Sequence, residues 1–240
     1  MPRYRLTPPL QTSPEYQSEY ESDGKTIYRP KPSRATLGTG HYARARLFES
    51  AAGKHIVVLD PKADTFEAFD TKELKAKYTF FKAIYPEQPV RLIKTTENAS
   101  YQTYRLMLPK IPGITYINLN LRSTEEKINL FISAIQALKD AHDKGKVIVD
   151  LQGENIFYDI AHNKSYLIAG GLSTDKNTGY LRSDIFCSRS RAKLAYNKRT
   201  FIQIAPECWS PSAQLSNTSM DVYSLGILMK RTLRRPPTEV

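Results

Sequence analysis

The chain has 240 residues and a mass of 27.3 kDa, enough for one large domain or two small ones, so a mini-protein is excluded. Hydrophobic residues make up 40% of the sequence and charged residues 25%, which is typical of a folded globular chain and not of a disordered or fibrous one. The formal net charge of +11 admits nucleic acid, anionic lipid and polyphosphate as partners without choosing among them.

Membrane, secretion and disulfide signals are missing from the sequence. No run reaches the roughly 18 apolar residues of a membrane helix, and the first residues lack the apolar segment of a secretory signal. The two cysteines, Cys187 and Cys208, are too few for a disulfide framework and have no metal-ligand spacing. We therefore expect a chain without a membrane span that resides in the cytoplasm.

The N-terminal part of the chain changes character near residue 34. Residues 1–33 are rich in Pro, Ser and Tyr and show neither a helical nor a strand period, so they predict a flexible tail. Short β-like runs follow at 43–48 and 55–59, and the turn signal around Gly53 lies between them. This pattern predicts a β-hairpin.

One helix and two further strands are expected before the middle of the chain. The residues Asp70–Glu73 form a capping pattern, in which Asp70 caps a helix that ends at Pro86. Two β-like runs occupy 90–93 and 101–108. The stretch 109–113 is interrupted by Pro and Gly, and we place a boundary between two lobes there.

The clearest helical pattern begins at a second capping box, Ser123 to Glu126, and stops at Gly145. Apolar residues recur in it at steps of three and four, which predicts an amphipathic helix with one core face. The residues expected on that face are Ile128, Phe131, Ile135, Leu138 and His142.

The last third of the chain predicts short strands and one more helix. The strand candidates are 147–149, 155–158 and 165–168. Residues 220–229 are apolar around most of the circumference of a helix, so we expect that helix to be buried on most sides.

Two short motifs carry candidate chemistry. Gly38 and Gly40 lie two apart before a β-like run and allow a backbone to approach phosphates closely, although an ordinary hairpin turn explains them as well. Asp150 and Asn155 lie five apart in a polar loop after the long helix. An acid and an amide at that spacing can hold a base and a metal ligand near one another, and a plain polar turn is the alternative.

Taken in order, these pieces resemble the protein kinase family from about residue 35 to residue 233. Gly38–Gly40 is similar to the glycine-rich loop and Asp150–Asn155 to the catalytic loop. The other matching segments are Pro109–Gly113 for the hinge, Leu167–Leu172 for the D-F-G segment, Ala205–Glu207 for A-P-E and Asp221–Gly226 for the helix that follows it.

The resemblance implies an α+β, two-lobed, protein-kinase-like fold. Its N-lobe is a small β-rich lobe with one helix, at residues 34–108. Its C-lobe, at residues 109–240, is mainly helical and minimal or truncated, since the chain stops soon after the last predicted helix. A lobe without the remaining helices of a usual kinase C-lobe leaves a face that another protein chain would have to cover, which favours an oligomer or a complex.

Departures from the kinase pattern decide the predicted function. In the family, the D-F-G aspartate ligates the magnesium ions that bridge the phosphates. Ala169 stands at that position and offers no ligand atom, and Gly170 replaces the phenylalanine. Ile148 and Val149 replace the histidine and arginine of H-R-D, so control through a phosphorylated activation segment is not expected.

The nucleotide-binding residues implied by the resemblance are incomplete. The family spacing from Gly38 places the phosphate-pairing lysine at Leu59 or Asp60, and Lys62 is the nearest lysine. Its usual partner is a glutamate in the middle of the first helix, where the nearest acid is Glu73, in the expected first turn. The residues that would contact ATP are Gly38, Gly40, Lys62 and Asn155, with Asn155 as a weak metal ligand.

A basic segment falls where kinases place the activation segment. No Asp or Glu occurs between residues 185 and 206. We expect it to dock an acidic protein or a polyphosphate, with a solvated loop as the alternative. Nucleic acid is not the expected partner, because no basic motif is interleaved with aromatic residues. The segment's basic residues are Arg189, Arg191, Lys193, Lys198 and Arg199.

The sequence therefore predicts a pseudokinase that acts by binding a protein, with Asp150 as a vestigial base, ATP as a possible ligand, and magnesium or manganese poorly supported. Two alternatives stay open. One is an active Ser/Thr protein kinase, or another nucleotide-dependent transferase, that uses Asp150. The other is a basic binder of nucleic acid or polyphosphate. Residues 108–113 with a compact C-lobe also resemble kinase-like effectors of intracellular bacteria, which would place the chain in a host cytosol.

Overall fold

The structure is a computed structural model that describes residues 20–21, 27–30, 36–39, 43–61, 68–98, 101–121, 123–168, 172–176, 179, 200–210 and 215–234. The chain divides into two compact units, Met1–Lys110 and Ile111–Val240. The expected lobe boundary, between residues 108 and 109, lies two residues before this division. Among the described residues the fold is mixed α+β, with antiparallel sheets and three helices.

The first unit is built on an antiparallel sheet to which seven described strands contribute. The strands lie in the order β1-β2-β4-β5-β7-β6, and β3 also pairs with β4. The predicted hairpin is confirmed as β4 and β5, and Gly53 in its turn has a φ of 74°. The strands are β1 (Tyr20–Glu21), β2 (Ile27–Pro30), β3 (Thr36–Thr39), β4 (Ala43–Ser50), β5 (His55–Pro61), β6 (Arg91–Asn98) and β7 (Tyr101–Pro109).

Two of these strands lie in the region for which we predicted a flexible tail. β1 pairs with β2, and β2 pairs with β4 between Tyr28 and Ser50 and between Pro30 and Phe48. Ile27 and Tyr28 favour strands, and β4 supplies the pairing, so a short strand forms although the region shows no extended strand period. The remaining residues of 1–33 lie outside the described part of the chain.

The helix of the first unit, α1 (Ala68–Ile84), begins earlier than predicted. Asp70 lies inside its first turn, so the prediction that Asp70 caps the helix is wrong, and Glu73 lies in the second turn. Alanine has the highest helix propensity, so Ala68 is compatible with a helix that starts before Asp70. The helix ends two residues before Pro86, as expected.

The described centre of the first unit's sheet, at β4 and β7, is buried on both faces. On one face, the Lys75 Nζ atom of α1 lies 4.9 Å from the centroid of the Tyr104 ring. The opposite face carries an apolar cluster of completely buried side chains, namely Phe48, Ile56, Val58 and Met107. Side chains alternate between faces along each strand, so the next residue of β5 on the cluster's face is Asp60.

The second unit combines two long helices with short strands. The described elements are β8 (Ile114–Thr115), α2 (Thr124–Asp143), β9 (Lys146–Val147), β10 (Ile156–Asp159), β11 (Lys164–Leu167), β12 (Thr174–Asp175) and α3 (Thr218–Arg234). The strands form two small sheets, β11-β10-β8 and β12-β9. The strand predicted at 147–149 is confined to Lys146–Val147. Within the described chain, no helix combines the length and the apolar character needed to cross a membrane.

The start of α2 is confirmed, and part of its expected core face is wrong. The Ser123 side chain accepts from the Glu126 N–H at 3.0 Å, and the Glu126 carboxylate accepts from the Ser123 N–H at 3.0 Å. Ile128 and Ile135 are 45% and 48% exposed. They form a separate stripe with Ile132, and small alanines take the core positions and allow close packing. The buried residues of α2 are Lys127, Leu130, Phe131, Ala134, Leu138 and Ala141.

The last helix, α3, is buried on one face only. Val222 is 60% exposed and Gly226 is also exposed, so the prediction of burial on most sides is wrong. An apolar composition around a helix is necessary for burial but does not supply the neighbours that produce it. The buried residues of α3 are Met220, Asp221, Ser224, Leu225 and Leu228.

Candidate functional site

The predicted catalytic loop is an ordered connection between β9 and β10, and we call residues 148–155 the 148–155 loop. It begins with a tight turn, in which the Asp150 N–H donates to the Ile148 carbonyl at 2.8 Å. It ends in a 3-10 turn over Gly153–Asn155, where the Asn155 N–H donates to the Gln152 carbonyl at 3.0 Å. The loop therefore has a defined backbone path.

A buried carboxylate on α3 holds the beginning of this loop. Asp221 accepts from the backbone N–H of Ile148 at 2.8 Å and from that of Val149 at 2.7 Å. The Nε2 atom of His142, near the end of α2, lies 2.8 Å from the same carboxylate. Asp221 is 0% exposed, so its charge is balanced by hydrogen-bond donors and not by water.

The backbone of Val149, whose N–H donates to Asp221, is strained. Val149 has a φ of 69°, a left-handed conformation that β-branched residues adopt rarely. Its side chain is 1% exposed and packs in a core cluster with Val147 and Trp209. The strain persists because the carboxylate of Asp221 and this packing hold the residue from both sides. Asp150 follows directly.

Asp150 and Asn155 are in contact within the loop. The Asn155 side-chain amide donates to the Asp150 backbone carbonyl at 3.0 Å, and the Gln152 side-chain amide donates to the Asp150 carboxylate. The Ile168 N–H donates to the Asn155 carbonyl at 2.9 Å. Both residues thus make contacts that brace the loop.

Gly153 allows the loop to lie flat against an aromatic ring. A Cβ atom at this position would lie 2.4 Å from the Cδ1 atom of Tyr116, so no larger residue fits. The Tyr116 ring packs against Phe131 with the ring centroids 6.1 Å apart, and its hydroxyl contacts the Thr232 hydroxyl on α3. Tyr116 therefore packs against the loop at Gly153 and contacts both α2 and α3.

In the first unit, the predicted phosphate-contacting residues are only partly described. Gly38 lies in strand β3, opposite Ala45 of β4, with a register irregularity between Thr36 and Gly38. Strand β5 ends at Pro61, so Lys62 follows the strand and lies outside the described residues, as does Gly40. The lysine position of the resemblance falls on Leu59 and Asp60.

Asp60 lies between two arginines on neighbouring strands. Its carboxylate is 2.9 Å from the Arg105 Nε atom and 3.7 Å from an Arg46 guanidinium nitrogen. Asp60, Arg46 and Arg105 are 4%, 7% and 2% exposed. Burial raises the pKa of Asp60 above its ordinary value, and the charges of Arg105 and Arg46 oppose that rise. The cluster is a buried ionic network at the edge of the apolar core.

Several predicted residues lie outside the described part of the chain. They include Ala169 and Gly170, which replace the kinase D-F-G pair, and Cys187. The basic segment also lies there, with its residues Arg189, Arg191, Lys193, Lys198 and Arg199. Within the ranges that are described, no three His, Cys, Asp or Glu side chains are grouped so that they could hold a metal ion.

Sequence reasoning placed Asp221 in a helix motif and missed its role at the loop. An aspartate inside an otherwise apolar helical run was the available signal, because a buried carboxylate requires donors. The donors are the backbone N–H groups of Ile148 and Val149, more than 70 residues earlier in the chain. No local sequence pattern predicts a hydrogen bond between residues so far apart. The Gln152–Asp150 contact had no sequence signal.

Comparison with known proteins gives no match for this sequence, either among protein-family models or among curated proteins. The kinase resemblance rests on the ordered motifs quoted above. The geometry that bears on function is that of the 148–155 loop and of the Asp60 cluster.

Proposed function

We propose that this chain is a pseudokinase, a kinase-like scaffold that binds a partner protein and does not transfer phosphate efficiently. The observation that carries the proposal is the contact between the Gln152 amide and the Asp150 carboxylate. A general base must present a carboxylate oxygen to the hydroxyl that it deprotonates. In this loop, an amide of the same loop engages that carboxylate.

The contacts of Asn155 support the same conclusion. Its amide nitrogen donates to the backbone of Asp150, which makes Asn155 a brace of the loop. Magnesium prefers carboxylate oxygens, and the position that supplies the second acid in active kinases is occupied by the methyl group of Ala169. Asp150 and Asn155 together offer one carboxylate and one amide.

The first unit lacks a cation at the expected lysine position. Strand β5 carries Leu59 and Asp60 there, and Asp60 is paired with Arg105 and Arg46 inside the unit. Neither Leu59 nor Asp60 carries an ammonium group that could pair with a triphosphate. Residues Gly38, Gly40, Lys62 and Asn155 are those that would hold ATP, and a nucleotide would serve as a structural ligand.

A phosphotransfer assay tests the proposal directly. The full chain is incubated with labelled ATP, magnesium or manganese, and a mixture of acidic and basic protein substrates. We expect no label transfer above that of the Asp150→Asn variant. Transfer that the Asp150→Asn substitution abolishes would establish the enzyme alternative. An ATP-induced rise in melting temperature that does not require metal would identify nucleotide as a scaffold ligand.

The proposed partner is acidic, because the basic segment contains five cations and no acid. Poly-glutamate is the probe. We expect a variant with Arg189, Arg191 and Lys193 changed to Gln to bind poly-glutamate at least about tenfold more weakly at low salt. The control changes Lys139, Lys144 and Arg234 to Gln and removes the same charge elsewhere. Equal losses in both variants would show that only net charge matters.

A further inference from the structure

The second unit contains a cavity of about 840 Å³, which we call the α2–α3 cavity. Its described walls come from the 3-10 turn after β8, the first turn of α2, the 148–155 loop, residues 200–203 and the last turns of α3. Small-molecule sites have volumes of about 300–1,000 Å³. The α2–α3 cavity is therefore large enough for an organic ligand.

The charged side chains on the described walls favour an anion. Lys127 and Arg231 contribute two positive charges, and Glu154 contributes one negative charge. Arg231 makes no ion pair with any described residue. A negatively charged ligand would gain from both cations in a site partly removed from water.

Lys127 occupies a position that is unfavourable for a lysine. It is 7% exposed, and burial disfavours an ammonium group. It also ends the first turn of α2, where the helix dipole disfavours a positive charge. A residue that both effects oppose is a local conflict of the kind found at functional sites. Lys127 lies on the cavity wall, where a bound anion would add a favourable contact to its ammonium group.

Gln203 provides a second, independent indication of a ligand. It lines the cavity and is 6% exposed, yet its side-chain amide makes no hydrogen bond to the described residues. The amide is not one of the fully buried, unpartnered polar groups of the described chain, so it reaches the cavity space, where a bound polar group can pair with it. The amide nitrogen can donate to an oxyanion, as the two cations can.

The remaining walls suit an apolar or aromatic body. Tyr116, Phe201 and Leu228 line the same cavity. Aromatic and aliphatic walls with a few convergent polar groups are the usual composition of an organic ligand site. Inorganic phosphate alone would leave most of the volume unfilled.

We propose that the α2–α3 cavity binds an organic anion, a phosphate or carboxylate group carried on an apolar or aromatic body. Lys127, Arg231 and Gln203 hold the anionic group, and the aromatic walls contact the body. The ligand is either a free small molecule or a modified side chain of a protein. This site does not depend on the proposed loss of phosphotransfer.

Titration of the ¹⁵N-labelled full chain, followed by NMR, tests the site with four probes. Phenyl phosphate carries both the anion and the ring, inorganic phosphate carries only the anion, and phenol carries only the ring. We expect phenyl phosphate to bind at least about tenfold more tightly than either fragment and to shift the Gln203 side-chain amide. A blocked phosphotyrosine peptide is the fourth probe. Binding at least about tenfold tighter than phenyl phosphate assigns the ligand to a protein side chain, and equal binding assigns it to a free small molecule.

Matched variants locate the binding energy. Lys127→Met and Arg231→Gln should each weaken phenyl phosphate binding by about tenfold. The controls Lys139→Met on α2 and Arg234→Gln on α3 should leave it within about twofold. If Lys127→Met does not fold, the Arg231→Gln variant, which changes an exposed turn of α3, still tests whether phenyl phosphate binds in the cavity. The proposal is overturned if phenyl phosphate does not saturate below about 10 mM, or if every cavity variant that folds binds it as tightly as the unmodified chain.

Discussion

The backbone N–H of Val149 lies 2.7 Å from the buried carboxylate of Asp221, and this pair joins a strained loop residue to a helix 72 residues further along the chain. The left-handed backbone of Val149 turns the chain immediately before Asp150. Asp221 also accepts from Ile148 and contacts His142, so one carboxylate connects α3, the 148–155 loop and the end of α2. The geometry of the loop therefore depends on a residue that is not part of it.

Removing the charge at position 221 should destabilise the second unit. Asp221→Asn replaces one acceptor oxygen with an NH₂ group that faces backbone donors, and we expect a loss of about 2–4 kcal/mol of unfolding free energy. Urea denaturation at neutral pH measures this loss. Asp140→Asn, on an exposed part of α2, is the control and should leave the transition unchanged. A loss of less than about 1 kcal/mol for Asp221→Asn would contradict the role of the Asp221 carboxylate in holding the 148–155 loop.

Two glycines near the helices should respond to alanine with opposite signs. Gly226 lies in the middle of α3 with open space around it and an ordinary backbone, so Gly226→Ala should stabilise by about 1 kcal/mol. Gly145 also faces open space, but its φ is 73° after the end of α2. Gly145→Ala should destabilise by about 1 kcal/mol, because alanine is strained in that conformation. Thermal unfolding of both variants under one condition tests the pair.

The pH dependence of stability should reveal the environment of Asp60. Because burial raises the pKa of Asp60, the folded chain keeps the proton at a pH where the unfolded chain has released it. Stability relative to the Asp60→Asn variant should therefore be greatest below the ordinary pKa and fall as pH rises through the raised pKa. Urea titrations of both proteins from acid to neutral pH give this difference, in which the other carboxylates cancel. A difference that grows with pH would mean that Arg105 and Arg46 lower the pKa of Asp60.

The reassigned core face of α2 can be tested with a pair of substitutions. Leu130 is completely buried, so Leu130→Ala should cost about 2–5 kcal/mol. Ile132 is 61% exposed on the same helix, and Ile132→Ala should change the unfolding free energy by less than about 0.5 kcal/mol. Chemical denaturation provides both values. A large loss at Ile132 would show that the isoleucine stripe is covered in solution.

The elements that were predicted well are those with local signals. The hairpin of β4 and β5 follows from alternating residues around Gly53, and the start of α2 follows from the reciprocal bonds of Ser123 and Glu126. A turn and a capping box involve residues a few positions apart, so sequence contains the whole interaction.

The features that were missed depend on partners distant in the sequence. Ile128 and Ile135 have the helical spacing of a core face, but the neighbours of α2 pack against Ala134 and Ala141 instead. Strand β2 exists because β4 offers it an edge. The candidate loop was located by its motif, whereas the carboxylate that shapes it comes from α3.

Asp221 holds main-chain N–H groups, which every residue type except proline possesses. The hydrogen bonds that Asp221 accepts at positions 148 and 149 are consequently independent of the side chains there, whereas the buried side chains of Ile148 and Val149 add the packing that holds the turn. Within this connection, the less buried positions Gln152 and Glu154 could be exchanged for other functional groups without disturbing the hydrogen bonds to Asp221.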